Sequence, residues 1–450
     1  MNKQDLVSAM SEKSGLPKKV SKFEINDIVK NIDEYIEKYN DKISETNAKS
    51  AIKDFDCTWN KITKYDLDWY SLSNHQSKYG TTLVIYSVAV HDLTNKTKDN
   101  IRCLSQLIEE FDNDKYVENQ YSIKMILYLN LGLCWQKLGK YEKKAVSAFK
   151  KYLYYELRLS NNTSFVGISA FGFRKCDKYL YKSLKKEQLN LSSPSVFNDP
   201  YDCPVLSLLN LYGDETSKLI LKAYNEGLKI ACFSRNIKLY PETRTELSQE
   251  EKEKRYNIDS LDKTTLLDEK GNPVYEKKNK DEDSDILNPL MWAHYADSHR
   301  GICIKYHFKR EMTKKEETVV SYFRDVMYSD ENLSKYTKAD AIPLDRAFFL
   351  KGKSWEYENE LRYLEFDIDG KGTHKQVNIS NCIEEIYFGL KCKQKDIEKV
   401  KKILKGKKWN RIIPKNVITG SEEQCEECEI KFYQMEMDKK QFGRLKAKEL

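Results

Sequence analysis

The hydrophobic pattern of the chain changes period at Ser164. Before it, apolar residues recur every three or four positions, the spacing of one helix face. After it they alternate, or run in short stretches bounded by turns, the signature of strands. Helices first and interleaved strands and helices second predict an α+β protein, with an N-terminal α-helical repeat-like module followed by a mixed α/β domain. The expected boundaries are an amphipathic helical arm at 1–50, a helical module at 51–160, an α+β domain at 161–436 and a polar tail at 437–450.

Composition narrows the function classes. The 450 residues are enough for several domains with a substantial core. Lys and Arg (77) exceed Asp and Glu (70) by only seven, and the signs are interleaved. A chain that reads nucleic acid through its phosphates normally shows a stronger or more clustered excess, although the Lys-rich stretch Lys391–Lys408 leaves nucleic-acid binding open. No run approaches the roughly 18 apolar residues of a membrane span, and the start, MNKQDLVSAMSEKSG, lacks a secretory apolar core. A cytoplasmic protein without a membrane partner is expected. The 11 cysteines are scattered, which fits reduced thiols. Cys425 and Cys428 have no second pair to complete a tetrahedral site, so no metal is expected.

Along the first region, Phe23, Ile25, Ile28, Val29, Ile32 and Ile36 form one helical stripe. Between Tyr128 and Leu153, the residues Tyr128, Leu131, Gly132 and Trp135 line one helix. Gly139 and Tyr141 supply a turn, and Ala145, Phe149 and Tyr152 line a second helix, with small Gly132 admitting it closely. This spacing resembles the tetratricopeptide repeat, and an upstream pair at Thr81–His91 and Asn100–Phe111 has related packing. The resemblance implies a module at 51–160 that binds a protein partner; an ordinary helical hairpin would use the same residues.

In the second region the expected strands are Ser164–Arg174, Leu189–Leu191, Gly227–Ser234, Ile302–Phe308, Trp355–Tyr363, Glu385–Phe388, Arg411–Val417 and Glu429–Tyr433, with helices at Lys178–Lys186 and Lys395–Leu404. Residues 237–285 read as a charged surface insertion, a candidate lid. Asn288 and Pro289 form a helix start, and the helix is expected to run through Leu290–His299 to Gly301.

Three segments hold groups with chemistry. As a strand, Trp355–Tyr363 places Glu356, Glu358, Glu360 and Arg362 on one face, with Glu358 and Glu360 within roughly 7 Å of each other. Such a pair suits acid–base work or stabilisation of a developing cation; a solvated face neutralised by Arg362 is the plainer alternative, and a helix pairing Glu358 with Arg362 at i,i+4 is a third reading. The helix from Leu290 carries Trp292, His294 and Tyr295, which either fill the core or face a ligand, Trp292 favouring the core. The box Phe197–Asp202 contains Asn198 and Asp199, whose side chains favour a turn, with a place at a substrate's edge as the other reading.

Together Phe173-Arg174, Phe197–Asp202, Cys232-Phe233-Ser234, Met291–Ile304 and Trp355–Arg362 resemble a bacterial domain-of-unknown-function family over roughly residues 164–435. The order Arg174, Ser234, Glu358-x-Glu360 also resembles ADP-ribosyltransferases of the Arg-Ser-Glu type. That resemblance implies a split sheet and NAD as substrate. Arg174 would clamp the NAD pyrophosphate or ribose, and Ser234 would brace the nicotinamide ribose. Glu360 would hold the ribose hydroxyl and stabilise positive charge, with Glu358 preparing the acceptor. His294 and Tyr295 would pack on the nicotinamide, and Trp292, Arg362, Asn198 and Asp199 complete the expected NAD surroundings.

The leading expectation is therefore an NAD-using effector that transfers ADP-ribose to a macromolecule or hydrolyses NAD, in a toxin or phage-defence setting. A non-catalytic interaction scaffold and a metal-dependent nucleic-acid enzyme using Glu358 and Glu360 are the alternatives.

Overall fold

The structure is a computed structural model that describes residues 22–39, 47–64, 97–113, 121–160, 167–199, 214–235, 288–309, 314–329, 348–414, 423–440 and 443–450, with short pieces between them. Nearly all of the expected insertion at 237–285 lies outside the described residues. The chain divides into two compact units, Met1–Leu159 with Tyr212–Ala223, and Ser160–Leu211 with Tyr224–Leu450.

The first unit is helical. Helix α1 (Lys22–Tyr39) buries Ile32, Tyr35 and Tyr39. It pairs with α2 (Ala48–Lys64), where Tyr35 meets Phe55 edge-on at 6.2 Å and the Tyr39 hydroxyl donates to Asp54 at 2.7 Å. The expected arm at 1–50 is thus corrected: its helix needs α2 to cover its apolar stripe, and a boundary at residue 50 would cut α2. After α3 (Thr97–Asn113) come α4 (Tyr121–Lys137) and α5 (Glu142–Ser160). A Cβ on Gly132 of α4 would stand 2.5 Å from the Phe149 ring of α5, so the close approach of these helices depends on glycine. Trp135 closes the turn edge-on against Tyr141, with the Lys144 ammonium 4.4 Å from the indole. Most of the expected upstream helix at 81–91 lies outside the described residues; its partner falls within α3.

The second unit is α+β, built on an 11-stranded sheet. Its main elements are β1 (Gly167–Arg174), α6 (Lys178–Lys186), β2 (Gln188–Ser192), the end of α7 (Asp214–Gly227, which belongs to the first unit as far as Ala223), β3 (Leu228–Ser234), α8 (Pro289–Tyr295), β4 (Ile302–Lys309) and β5 (Val319–Asp325). They continue with β6 (Glu360–Asp367), β7 (His374–Asn378), β8 (Ile383–Phe388), α9 (Gln394–Leu404), β9 (Lys408–Pro414), β10 (Glu423–Glu429), β11 (Lys431–Met437) and β12 (Leu445–Glu449). The main order is β12-β11-β8-β4-β1-β3-β6-β5, while β2 joins β3 to β7, and β9 and β10 form a separate ribbon. Among the described residues, eight register pairs join β1 to β4 and seven join β3 to β6, but β1 meets β3 at a single pair, Phe171 with Ser234.

Alternation sorts the two faces. Ile168 and Ala170 of β1, Ala231 and Phe233 of β3, Ile302, Ile304, Tyr306 and Phe308 of β4, and Leu361 and Tyr363 of β6 share one apolar core with α6 and α9. Phe171, Phe173 and Cys303 pack on the other face with Met291 and Trp292 of α8.

Three expectations are corrected here. The segment Trp355–Tyr363 is not a continuous strand: Lys353–Glu358 winds as a 3-10 helix, Asn359 adopts φ 43°, and β6 starts at Glu360. Helix α8 ends at Tyr295 instead of His299, because Asp297, Ser298 and His299 all take positive φ (48°, 53° and 68°) and turn the chain back. Gly301 follows because a Cβ there would stand 2.2 Å from the Arg174 carbonyl oxygen. The tail at 437–450 contributes β12, whose Leu445 is buried.

Candidate functional site

Two sites emerge at neighbouring elements of the second unit. The first is a cleft of about 360 Å³ at the end of β1, a volume within the range of small-ligand pockets. Arg174, Asp177, Tyr179, Asn190, His294 and Tyr295 supply its polar lining, over a floor that includes Ile304 and Tyr306. The cap of α6 fixes one wall: Asp177 accepts from the N–H groups of Tyr179 and Leu180, both at 2.9 Å. The other wall is α8, capped by Asn288 on the Leu290 N–H at 3.0 Å with Pro289 in its first turn. Burial pushes the Tyr306 phenol up to about 12, with the neighbouring Arg174 guanidinium pulling the other way.

The second is a buried ionic cluster behind Tyr295. Its anions are Asp202, Glu358 and Glu360; its cations are Lys351 and Arg362. Arg362 has no exposed surface. Its guanidinium lies 2.7 Å from Glu360 and 2.8 Å from Asp202, and it donates to the Phe348 carbonyl at 2.6 Å. The Lys351 ammonium bridges Glu358 at 2.6 Å and Glu360 at 3.0 Å. Cys203 and Cys232 complete the surroundings, and burial pushes the Cys203 thiol up. Three carboxylates against two cations leave one negative charge in excess, and the cluster resolves it unequally. Burial opposes ionisation of Glu360, but Arg362 and Lys351 overcome it and hold its carboxyl at about 2. At Glu358 burial dominates, and the carboxyl is raised above its ordinary value despite Lys351 and Tyr295. Glu358 is therefore a stronger proton acceptor than Glu360.

The two sites meet at one contact. The Tyr295 hydroxyl, on the cleft wall, donates to Oε1 of Glu358. Main-chain anchoring sets Glu358: the Ser234 hydroxyl donates to its carbonyl at 2.7 Å, and Glu358 and Glu360 still share Lys351 although a left-handed residue separates them.

The expected convergence of Arg174, Ser234 and Glu360 on one cleft is corrected. Cross-strand pairing puts Ser234 and Glu360 on the Phe171 face, whereas Arg174 follows the alternation of Ala170 and Gly172 and opens beside Tyr306 on the other. Ser234 and Glu360 are buried and line no part of the cleft, and Arg362 is an internal ion-pair partner. Trp292 is fully buried, edge-on to Phe173 at 5.3 Å with its indole N–H donating to the Ile286 carbonyl at 2.7 Å, so it is core. Asn198 is exposed and Asp199 half-buried in the turn after a short 3-10 helix, and neither lines the cleft. The fold does bring Arg174, His294 and Tyr295 to one cleft and reaches Glu358 through Tyr295. Sequence reasoning missed Lys351 and the ionic role of Asp202; the only signal was an acid ending the FNDPYD box and a lysine just before the Trp355 segment.

Residues 291–363 match the family described as "Protein of unknown function (DUF2971)", which spans α8 through the first strand residues after the ionic cluster. No curated protein and no solved structure shows a significant similarity to the chain. Among the described residues no helix is long and apolar enough to cross a membrane.

Proposed function

We propose that the chain is an NAD-using enzyme of the ADP-ribosyltransferase kind, working in the Arg174 cleft with Glu358 as its acid–base group. The observation that carries this reading is the Tyr295–Glu358 hydrogen bond, which connects a buried, proton-accepting carboxylate to the cleft that Arg174 lines. The single rung between β1 and β3 supports a split sheet of the kind such enzymes have. Arg174 would hold the diphosphate through its donor fork. As the bond between nicotinamide and the ribose carbon breaks, both electrons leave with nicotinamide and the ribose carbon becomes cationic. Water or an acceptor hydroxyl then adds to that carbon; its proton passes to Tyr295 as the Tyr295 proton moves to Glu358. A carboxyl raised above its ordinary value is a stronger base toward this proton than an ordinary carboxylate. Ser234 and Glu360 act as positioning residues, one through the Glu358 carbonyl and the other through Lys351. The helical unit, which we read as repeat-like, recruits a protein partner or senses a trigger for a toxin or defence effector.

Incubation of the full-length chain with NAD should release nicotinamide, and Arg174→Ala or Glu358→Gln should abolish release with the fold retained. No nicotinamide from the folded chain, with or without cell lysate, sinks the reading. The alternative, a non-catalytic scaffold, is favoured by one observation: the polar atoms of Ser234 and Glu360 are engaged internally. Under it, Glu358→Gln leaves any cellular phenotype intact while substitutions at Tyr128 or Trp135 remove it.

A further inference from the structure

We propose that the outer face of α6 and α9 binds single-stranded nucleic acid and leads it to the Arg174 cleft. The chain as a whole carries only +7, yet its cations concentrate here. On α6 the exposed lysines Lys178, Lys182 and Lys185 recur at i, i+4 and i+7, opposite buried Leu180 and Leu184. On α9 the exposed Lys395, Lys399 and Lys402 repeat the same spacing, opposite buried Ile397, Val400 and Leu404.

The two stripes lie side by side and run the same way. Near the helix starts, the Tyr181 hydroxyl donates to Asp396 at 2.9 Å and the Lys399 ammonium stands 3.8 Å from the Tyr181 ring centre. Near their ends, Lys407 donates to the carbonyls of Leu184 and Lys185, each at 3.0 Å. None of the six stripe lysines is in an ion pair among the described residues. The nearby carboxylates are otherwise engaged: Asp177 caps α6, Asp396 accepts from Tyr181, and Glu398 accepts from the Gln394 amide at 3.2 Å. Two aligned lysine rows of this kind match the repeating charge of a phosphate backbone.

The partner is a single strand because of Tyr179. Its ring is 63% exposed at the cleft edge, with the Lys178 ammonium 5.1 Å from its centre. An exposed aromatic within a basic track is a platform for an unpaired base, which a duplex withholds. A membrane surface fits less well, because Tyr179 is the only large exposed hydrophobic on either helix among the described residues. Binding of the strand is independent of NAD chemistry; that the strand is the ADP-ribose acceptor rests on the function proposed above.

The test is fluorescence anisotropy of labelled oligothymidylate with the full-length chain, without NAD, across a salt titration. Wild type should bind, with log affinity falling as salt rises by about 0.7 per phosphate neutralised. Lys182→Glu with Lys399→Glu should flatten that slope, while Lys446→Glu with Lys448→Glu on β12 should leave it unchanged. Tyr179→Ala should weaken binding about 5-fold or more at unchanged slope, the lower end for one stacked base. Absence of binding at low salt, equal effects of the two charge reversals, tighter binding to a duplex of equal length, or binding to phosphatidylserine vesicles alone would each overturn the proposal. Nicotinamide release is scored separately, so either idea can fail without the other.

Discussion

The Ser234 hydroxyl donates to the main-chain oxygen of Glu358 at 2.7 Å, joining residues 124 apart in sequence. With the Arg235 N–H donating to the Asn359 carbonyl at 3.0 Å, this bond fixes where the 3-10 helix stops and β6 begins. Ser234→Ala leaves a buried carbonyl without that donor, so chemical denaturation should show a loss of about 1–3 kcal/mol. Nicotinamide release should fall with it, because Glu358 is no longer held against Tyr295.

Arg362 holds the ionic cluster together without any exposure to water. Arg362→Met should destabilise the second unit by about 3–5 kcal/mol, since Glu360 and Asp202 lose their shared cation inside the protein. Arg362→Lys should not restore stability, because an ammonium cannot reach Glu360, Asp202 and the Phe348 carbonyl together. Thermal unfolding of the two variants settles it.

Glu358 and Glu360 should respond to pH with opposite sign. Glu358 is raised above 4.5 by burial, so its contribution is present below 4.5 and is lost as pH rises through the folded value. Glu360 is lowered to about 2, so its contribution is present above 4.5 and is lost as pH falls toward 2. Measured over pH, Glu358→Gln should gain stability relative to wild type as pH rises, whereas Glu360→Gln should lose it. Parallel curves would contradict the assignment.

His307, on β4 beside Trp409, is lowered by burial to about 4 from 6.5, with nearby lysines and Arg411 acting the same way. Between those values the unfolded chain binds the proton and the folded one does not. Stability should therefore fall as pH drops from 6.5 toward 4. His307→Asn should remove that part of the acid sensitivity in urea titrations.

Gly132→Ala should destabilise the helical unit by about 1–3 kcal/mol, because the new methyl would overlap the Phe149 ring. Co-substitution of Phe149→Leu should recover part of the loss. The urea midpoint of each single and double variant provides the check.

How much of this was legible in the sequence follows from which interactions are local. The cap of α8, the Lys178–Lys186 helix and the alternation of Ile302, Ile304, Tyr306 and Phe308 arise from neighbouring residues, and the fold places them where their pattern says. The run WEYENELRY misled because alternating polarity fits a strand and also a tight turn. Asn359 tolerates a left-handed backbone, and Lys351 and Ser234, both remote in the local pattern, fix Glu358. The reading of Arg174, Ser234 and Glu360 as one constellation failed for a geometric reason: order along the chain says nothing about face, and one residue of parity moves a side chain across a sheet. Val319–Asp325 and His374–Asn378 went unread since their register comes from partner strands.

Among the described residues β1 and β3 share one rung, Phe171 with Ser234. Ser234 stands on that rung and donates to the Glu358 carbonyl. A shift of β1 against β3 would therefore be felt through Ser234 at the residue whose carboxyl Tyr295 addresses.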